Sequence, residues 1–317
     1  MTPNHQPNRP AANWPQTISI IGAAGLVGST VAAQLALNGI GQNIYLQDRK
    51  SNVLEAHRID LDDAKTITGV DSPSLHLGPP ADGEADIVIV AASISEVPDG
   101  DRRGFLNGNA QILEALAKDI ESQVSDTGLV LILSNPVDVL AHWLHEITDL
   151  DPTRILGYAL NDSARFQAAV ARELGVKKSE VSGVVYGEHG RGQVPIFSSI
   201  RVRNQTVKLE TSQEKRILQS IEGWFERWSN LQSGRSSGWA TGVGTLQLIK
   251  QLMVGQETVA TAYTGAVPEL SKTFMALPIA RECDAIQLRQ LDVTADELAK
   301  LQTAAKSIKK VARKISS

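Results

Sequence analysis

The chain has 317 residues, enough for two packed regions, because single cores stop growing at roughly 250 to 300 residues. Apolar residues make up 42% and charged residues 21%, with a formal net charge of -4; this balance fits an ordinary globular protein and argues against a nucleic-acid-binding surface. The single cysteine, Cys283, excludes an intrachain disulfide, no Cys/His cluster has zinc-site spacing, and no run of about 18 apolar residues offers a membrane span.

Residues 1–16, rich in Pro, Asn and Gln, have neither the apolar run of a signal peptide nor the Arg-rich pattern of a transit peptide. They read as a loose tail, and with the lone cysteine they lead to the expectation of a cytoplasmic protein. From Thr17, short β-branched runs alternate with stretches of helical period, as in a parallel sheet with crossover helices. Ile18 to Ile21 is the first strand, Val27, Val31, Leu35 and Ala36 mark a helical stripe, and Ile44 to Leu46 is the second strand.

Nearly continuous apolar runs at Ile87 to Ala92 and Leu129 to Leu133 read as strands covered on both faces. After about residue 152, Ala-rich helices mix with shorter strands at Val184 to Tyr186 and Ile200 to Val202, and a Lys-rich amphipathic helix near 294–314 closes the chain. Gln232 to Gly238 reads as a flexible connection. The expected organisation is a tail at 1–16, a dinucleotide-binding domain at 17–152 and a catalytic, substrate-binding domain at 153–317.

Gly22, Gly25 and Gly28 stand between the first strand and the first helix with the spacing of a dinucleotide fingerprint. The turn, with Leu26 and Val27 opening the helix, aims free N–H groups and a positive dipole end at a pyrophosphate. Asp48 follows the second strand, where a carboxylate accepts from both ribose hydroxyls and repels a 2′-phosphate. This favours NAD over NADP, although Arg49 and Lys50 pull the other way. The fold class is therefore α/β, a Rossmann doubly wound parallel sheet followed by an α+β catalytic domain.

Three polar motifs stand at the ends of apolar runs, where an open α/β sheet places its ligand crevice. They are Ser134-Asn135-Pro136-Val137-Asp138, Asn161-Asp162-Ser163-Ala164-Arg165-Phe166 and Gly187-Glu188-His189-Gly190. His142 and His145 lie three apart without a further ligand and read as residues of a helix face, so no metal is expected.

In this order, from about Thr17 to the C-terminal helix, the motifs resemble the lactate/malate dehydrogenase family. The resemblance implies hydride transfer between NAD and C2 of a small L-2-hydroxy or 2-keto acid, by a homodimer or homotetramer. It implies that His189 exchanges the proton, that Asp162 fixes its tautomer and raises its pKa, and that Arg165 forks onto the substrate carboxylate. Asn135 is implied near the carbonyl and the nicotinamide ribose, and Asn109 downstream at the cofactor.

The polar stretch Ser95 to Gly104 resembles the family's mobile loop. By count from Pro98, Arg102 matches the arginine that polarises the carbonyl, with Arg103 one residue away as the alternative. The same count puts Glu96 where malate enzymes carry an arginine and lactate enzymes commonly a glutamine. Glu96 either faces the substrate or pairs with Arg191, which replaces a usual Asp. With Trp239 and Ala240 reshaping the pocket wall, the expectation is a substrate that is not a dicarboxylate, with a hydroxylated or cationic tail.

Malate dehydrogenase proper is the alternative within the family. Outside it stand an NAD-dependent glycosidase, whose Cys and His metal ligands are not matched, and a non-catalytic NAD-binding protein.

Overall fold

A computed structural model of the chain describes residues 14–94, 102–190, 192–233 and 237–315. The first half runs β1 (Thr17–Ile21), α1 (Leu26–Leu37), β2 (Asn43–Gln47), α2 (Ser51–Thr68), β3 (Ser74–Leu77), β4 (Ala85–Val90), α3 (Arg102–Gln123), β5 (Val124–Ile132), α4 (Val137–Ile147) and β6 (Ile155–Tyr158). Its strands are all parallel, in the order β3-β2-β1-β4-β5-β6. The order reverses between β1 and β4, and such a switch point opens a crevice at the strands' carboxyl ends.

The second half runs α5 (Leu160–Leu174), β7 (Val181–Ser182), β8 (Val185–Gly187), β9 (Gln193–Pro195), β10 (Arg201–Val202), β11 (Gln205–Thr206) and α6 (Thr211–Glu222). It continues with α7 (Trp224–Asn230), α8 (Gly238–Met253), β12 (Thr258–Tyr263), β13 (Phe274–Glu282), β14 (Ala285–Leu288) and α9 (Ala295–Ala312). Antiparallel β12 pairs with β6, so β13, β8 and β9 extend the same sheet. The parallel sheet thus reaches Tyr158, beyond the boundary expected at 152.

Along β1, Ile18 and Ile20 join one core layer while Ile21 joins the layer on the other face. Between them the buried Ser19 hydroxyl donates to Gln123 Oε1 at 2.8 Å and accepts from Gln47 Nε2 at 2.5 Å. Polar groups with such partners avoid the cost of burial. A third cluster, built on Phe166, Val170, Ile200 and Ile217, packs α5 against α6.

Several boundaries shift. Strands β3, β6, β12, β13 and β14 add to the strands expected from the sequence; β3 and β14 are short and only partly buried, whereas β13 is a buried apolar run from Phe274 to Ala280. Residues 102–104, expected in a polar loop, are the first turn of α3, because the stripe Leu106, Ala110, Leu113 favours helix back to Arg102. Trp14, expected in the loose tail, is buried with the Arg281 guanidinium 3.9 Å from its ring centre. Gln16 N–H donates to Asp86 at 2.7 Å. No helix of the described residues is long and apolar enough to cross a membrane.

Candidate active site

The glycine turn is built by exclusion. Gly22 has φ +92° and a Cβ there would lie 2.5 Å from the Ala92 nitrogen, while a Cβ on Gly28 would lie 2.2 Å from the Gly22 carbonyl oxygen. Only glycine fits at either place. Gly25, the exposed N-cap of α1, has no side-chain cap, and the first turn through Leu26, Val27 and Gly28 contains no acidic residue. An uncapped helix start of this kind is a phosphate cradle. The Asp48 carboxylate accepts from Ala24 N–H at 3.3 Å and Lys50 N–H at 3.1 Å and is exposed at the mouth of the turn. These residues fit an NAD molecule, with the pyrophosphate at the turn and a ribose at Asp48.

His189 follows β8 and is held from three directions. Its Nδ1 lies 2.6 Å from Asp162 Oδ2, and its backbone N–H donates to Asp138 Oδ2 at 2.6 Å. Ser163 Oγ accepts from Val185 N–H at 3.0 Å, which ties α5 to the strand carrying the histidine. With Nδ1–H given to Asp162, Nε2 is left for a substrate oxygen. The Asp162 charge raises the His189 pKa above its usual value, against the opposing effect of burial.

Asp138 is buried at the start of α4 and also accepts from Thr261 Oγ at 2.6 Å. Burial pushes its carboxyl up to about 6 despite both hydrogen bonds. Burial, with Asp138 as a like-charge neighbour, pushes Glu188 up to about 7. The motif containing Asp138 was recognised in the sequence, but not its part in holding the His189 backbone.

Arg165 lies one turn after Asp162 and donates to Asp162 Oδ1 at 3.3 Å. Its guanidinium sits 3.5 Å from the centre of the Trp224 ring. Burial lowers its pKa from a value high enough that it remains charged. His189, Arg165, Asn135, Asn161 and Val27 line one cavity of about 270 Å³.

One expectation needs correction. Trp239 is 68% exposed, and neither it nor Ala240 lines this cavity; Ser237 and Thr241 do, because close packing of Gly238 and Gly242 on α1 sets which side of α8 faces inward. Asn109, expected at the cofactor, is 2% exposed and bonds the segments beside the cavity. Its Oδ1 accepts from Ile94 N–H at 2.9 Å and its Nδ2 donates to the Asn135 carbonyl at 2.7 Å, which satisfies it inside the protein. Glu96, Pro98 and Arg191 lie outside the described residues, as do the side chains of Arg102 and Arg103.

Sequence reasoning missed Trp224, Phe225 and Trp228, which line the cavity from α7. The signal was present as three aromatic residues within five positions. His142 and His145 pack in α4, the first 3.4 Å from Thr273 Oγ and the second against the Tyr263 and Phe274 rings. No group of three or more His, Cys, Asp or Glu able to hold a metal occurs among the described residues.

Residues 16–157 match the family model for the lactate/malate dehydrogenase NAD binding domain, and residues 160–317 the model for the lactate/malate dehydrogenase alpha/beta C-terminal domain. The L-lactate dehydrogenase of Mycoplasmoides gallisepticum is 32% identical over 218 residues, 66% of this chain and 67% of the relative. The malate dehydrogenase of Rhodopirellula baltica is 26% identical over 92% of this chain and 95% of its own length. Among solved structures, Cryptosporidium parvum malate dehydrogenase aligns with a TM-score of 0.86 at 23% identity, over 95% of this chain and 99% of that one. Eimeria maxima lactate dehydrogenase, solved with NADH and oxamate, aligns with a TM-score of 0.84 at 20% identity, over 95% and 94% of the two chains.

Proposed function

Since this chain belongs to the lactate/malate dehydrogenase family, as an NAD-dependent 2-hydroxyacid oxidoreductase, we propose that its substrate is a monocarboxylic 2-oxo acid and the matching L-2-hydroxy acid. One observation carries this reading: among the described residues lining the cavity, Arg165 is the single cation besides the proton-exchanging His189, which is engaged with the C2 oxygen. Arg165 is needed for the C1 carboxylate, so a second carboxylate would enter the cavity without a countercharge among those residues.

Bound NAD supplies the hydride donor or acceptor. The chain's own residues do the rest. Gly22, Gly25 and Gly28 let the backbone approach the pyrophosphate, and Asp48 takes the ribose. Arg165 orients the carboxylate by its guanidinium edge, and protonated His189 gives a proton from Nε2 to the C2 oxygen in reduction. Asp162 stabilises the imidazolium and holds the ring. In the reverse direction neutral His189 takes the hydroxyl proton.

Steady-state reduction of pyruvate and oxaloacetate with NADH tests the substrate class. A higher kcat/KM for oxaloacetate overturns it. We also take the enzyme as a cytoplasmic homodimer or homotetramer, which fractionation and sedimentation equilibrium check.

A further inference from the structure

A 2-oxo acid held with C1 on Arg165 and its C2 oxygen at His189 leaves its C3 substituent to the remaining cavity walls. Four aromatic side chains stand among those walls. Trp224, Phe225 and Trp228 enter from α7 and Phe105 from α3, while the polar residues beside them, Ser229 among them, are neutral. Trp224 and Trp228, one helical turn apart, stack with centroids 5.3 Å apart and planes 13° from parallel. Trp224 also covers the face of the Arg165 guanidinium, which leaves the guanidinium edge for a carboxylate.

A core role does not account for these side chains. None of the three α7 aromatics belongs to any hydrophobic core cluster, and α7 has no fully buried residue. Phe225 is 45% exposed. With Phe105, four of the chain's fourteen aromatic residues therefore stand at the cavity rather than inside the fold. Partly exposed aromatic rings beside a charged anchor are surfaces for a planar apolar group, which gains both area burial and ring stacking.

We propose that the C3 substituent is an aromatic ring: the enzyme interconverts arylpyruvates and 3-aryl-2-hydroxy acids. This deepens the hydroxyacid reading and rests on it. In reduction the C2=O π bond breaks, C2 gains a hydride from NADH, and the oxygen gains the His189 proton. NADH is oxidised to NAD and the 2-oxo acid is reduced to the alcohol.

The test is steady-state kinetics of the full-length enzyme with NADH and three acceptors: phenylpyruvate, pyruvate and oxaloacetate. Phenylpyruvate is expected to have the highest kcat/KM, by about tenfold over pyruvate. Trp228→Ala lowers the phenylpyruvate-to-pyruvate ratio of kcat/KM by about tenfold, and Trp228→Phe restores most of it. A wild-type preference for pyruvate or oxaloacetate overturns the proposal even if Trp228→Ala does not fold, and so does a ratio that Trp228→Ala leaves unmoved. Turnover of pyruvate without phenylpyruvate removes the aromatic assignment alone. Turnover of none of the three, with NADH still raising Tm, removes the hydroxyacid reading as well.

Discussion

The side-chain amide of Asn109 donates to the backbone carbonyl of Asn135 at 2.7 Å, while its oxygen accepts from the backbone N–H of Ile94 at 2.9 Å. One buried residue thus ties together the segments leaving β4 and β5, which carry Ile94 and Asn135 into the cavity. Asn109→Ala removes two part-buried hydrogen bonds, to Ile94 N–H and to the Asn135 carbonyl, at a cost of about 1 to 2 kcal/mol in unfolding free energy. It is also expected to lower kcat/KM at least about tenfold, because Asn135 loses its support. Urea unfolding and steady-state kinetics of the variant check both effects.

The carboxylate of Asp162 makes the pH dependence of the reaction a property of His189. Reduction needs the protonated imidazole, so its rate is constant at low pH and falls as pH rises through a His189 pKa above the usual 6.5. Asp162→Asn removes the main cause of the upward shift. The falling limb of the kcat/KM profile is expected to move to lower pH, with a loss of about 100-fold in kcat. A limb that stays in place would exclude His189 as the titrating acid.

Asp138 offers a stability measurement separate from catalysis. Its carboxyl titrates near 6 in the fold against 3.8 for an ordinary aspartate. A raised pKa favours the folded state while the group is neutral, so the contribution is full below 3.8 and is lost as pH rises through about 6. Asp138→Asn keeps an acceptor for His189 N–H and a donor for Thr261 Oγ without the charge. Relative to wild type it is expected to gain about 2 to 3 kcal/mol between pH 4 and pH 8, read from urea midpoints at the two pH values.

Asp48 governs the choice of dinucleotide. With its carboxylate at the mouth of the glycine turn and Arg49 beside it, Asp48→Ala removes the repulsion of a 2′-phosphate and leaves a cation to meet it. The NADPH-to-NADH ratio of kcat/KM is expected to rise at least about tenfold. Unchanged discrimination would show that the ribose contacts another residue.

What could be read along the chain was local. Gly22, Gly25, Gly28 and Asp48 lie within one βαβ unit, where spacing alone carries the chemistry. His189 and Asp162 are 27 positions apart and became a pair only through the family resemblance. Asp138 accepts from the His189 backbone N–H across 51 positions, and a side chain that holds a backbone N–H has no sequence signature. Trp239 falls outside the cavity for a related reason: residue type does not distinguish an inward helix face from an outward one. Trp224 and Trp228, at helical spacing, look in sequence like ordinary packing residues.

The antiparallel pairing of Ala260 with Tyr158 and Thr261 with Gly157 joins both halves of the molecule in one hydrogen-bonded ladder. The two halves therefore cannot melt independently without breaking a shared strand pair, and a single calorimetric transition is expected. Binding energy gained at the glycine turn is then distributed over the whole chain by mass action. At a hundredfold excess of NADH over its Kd, about 2.7 kcal/mol protects the catalytic half as fully as the half that touches the dinucleotide.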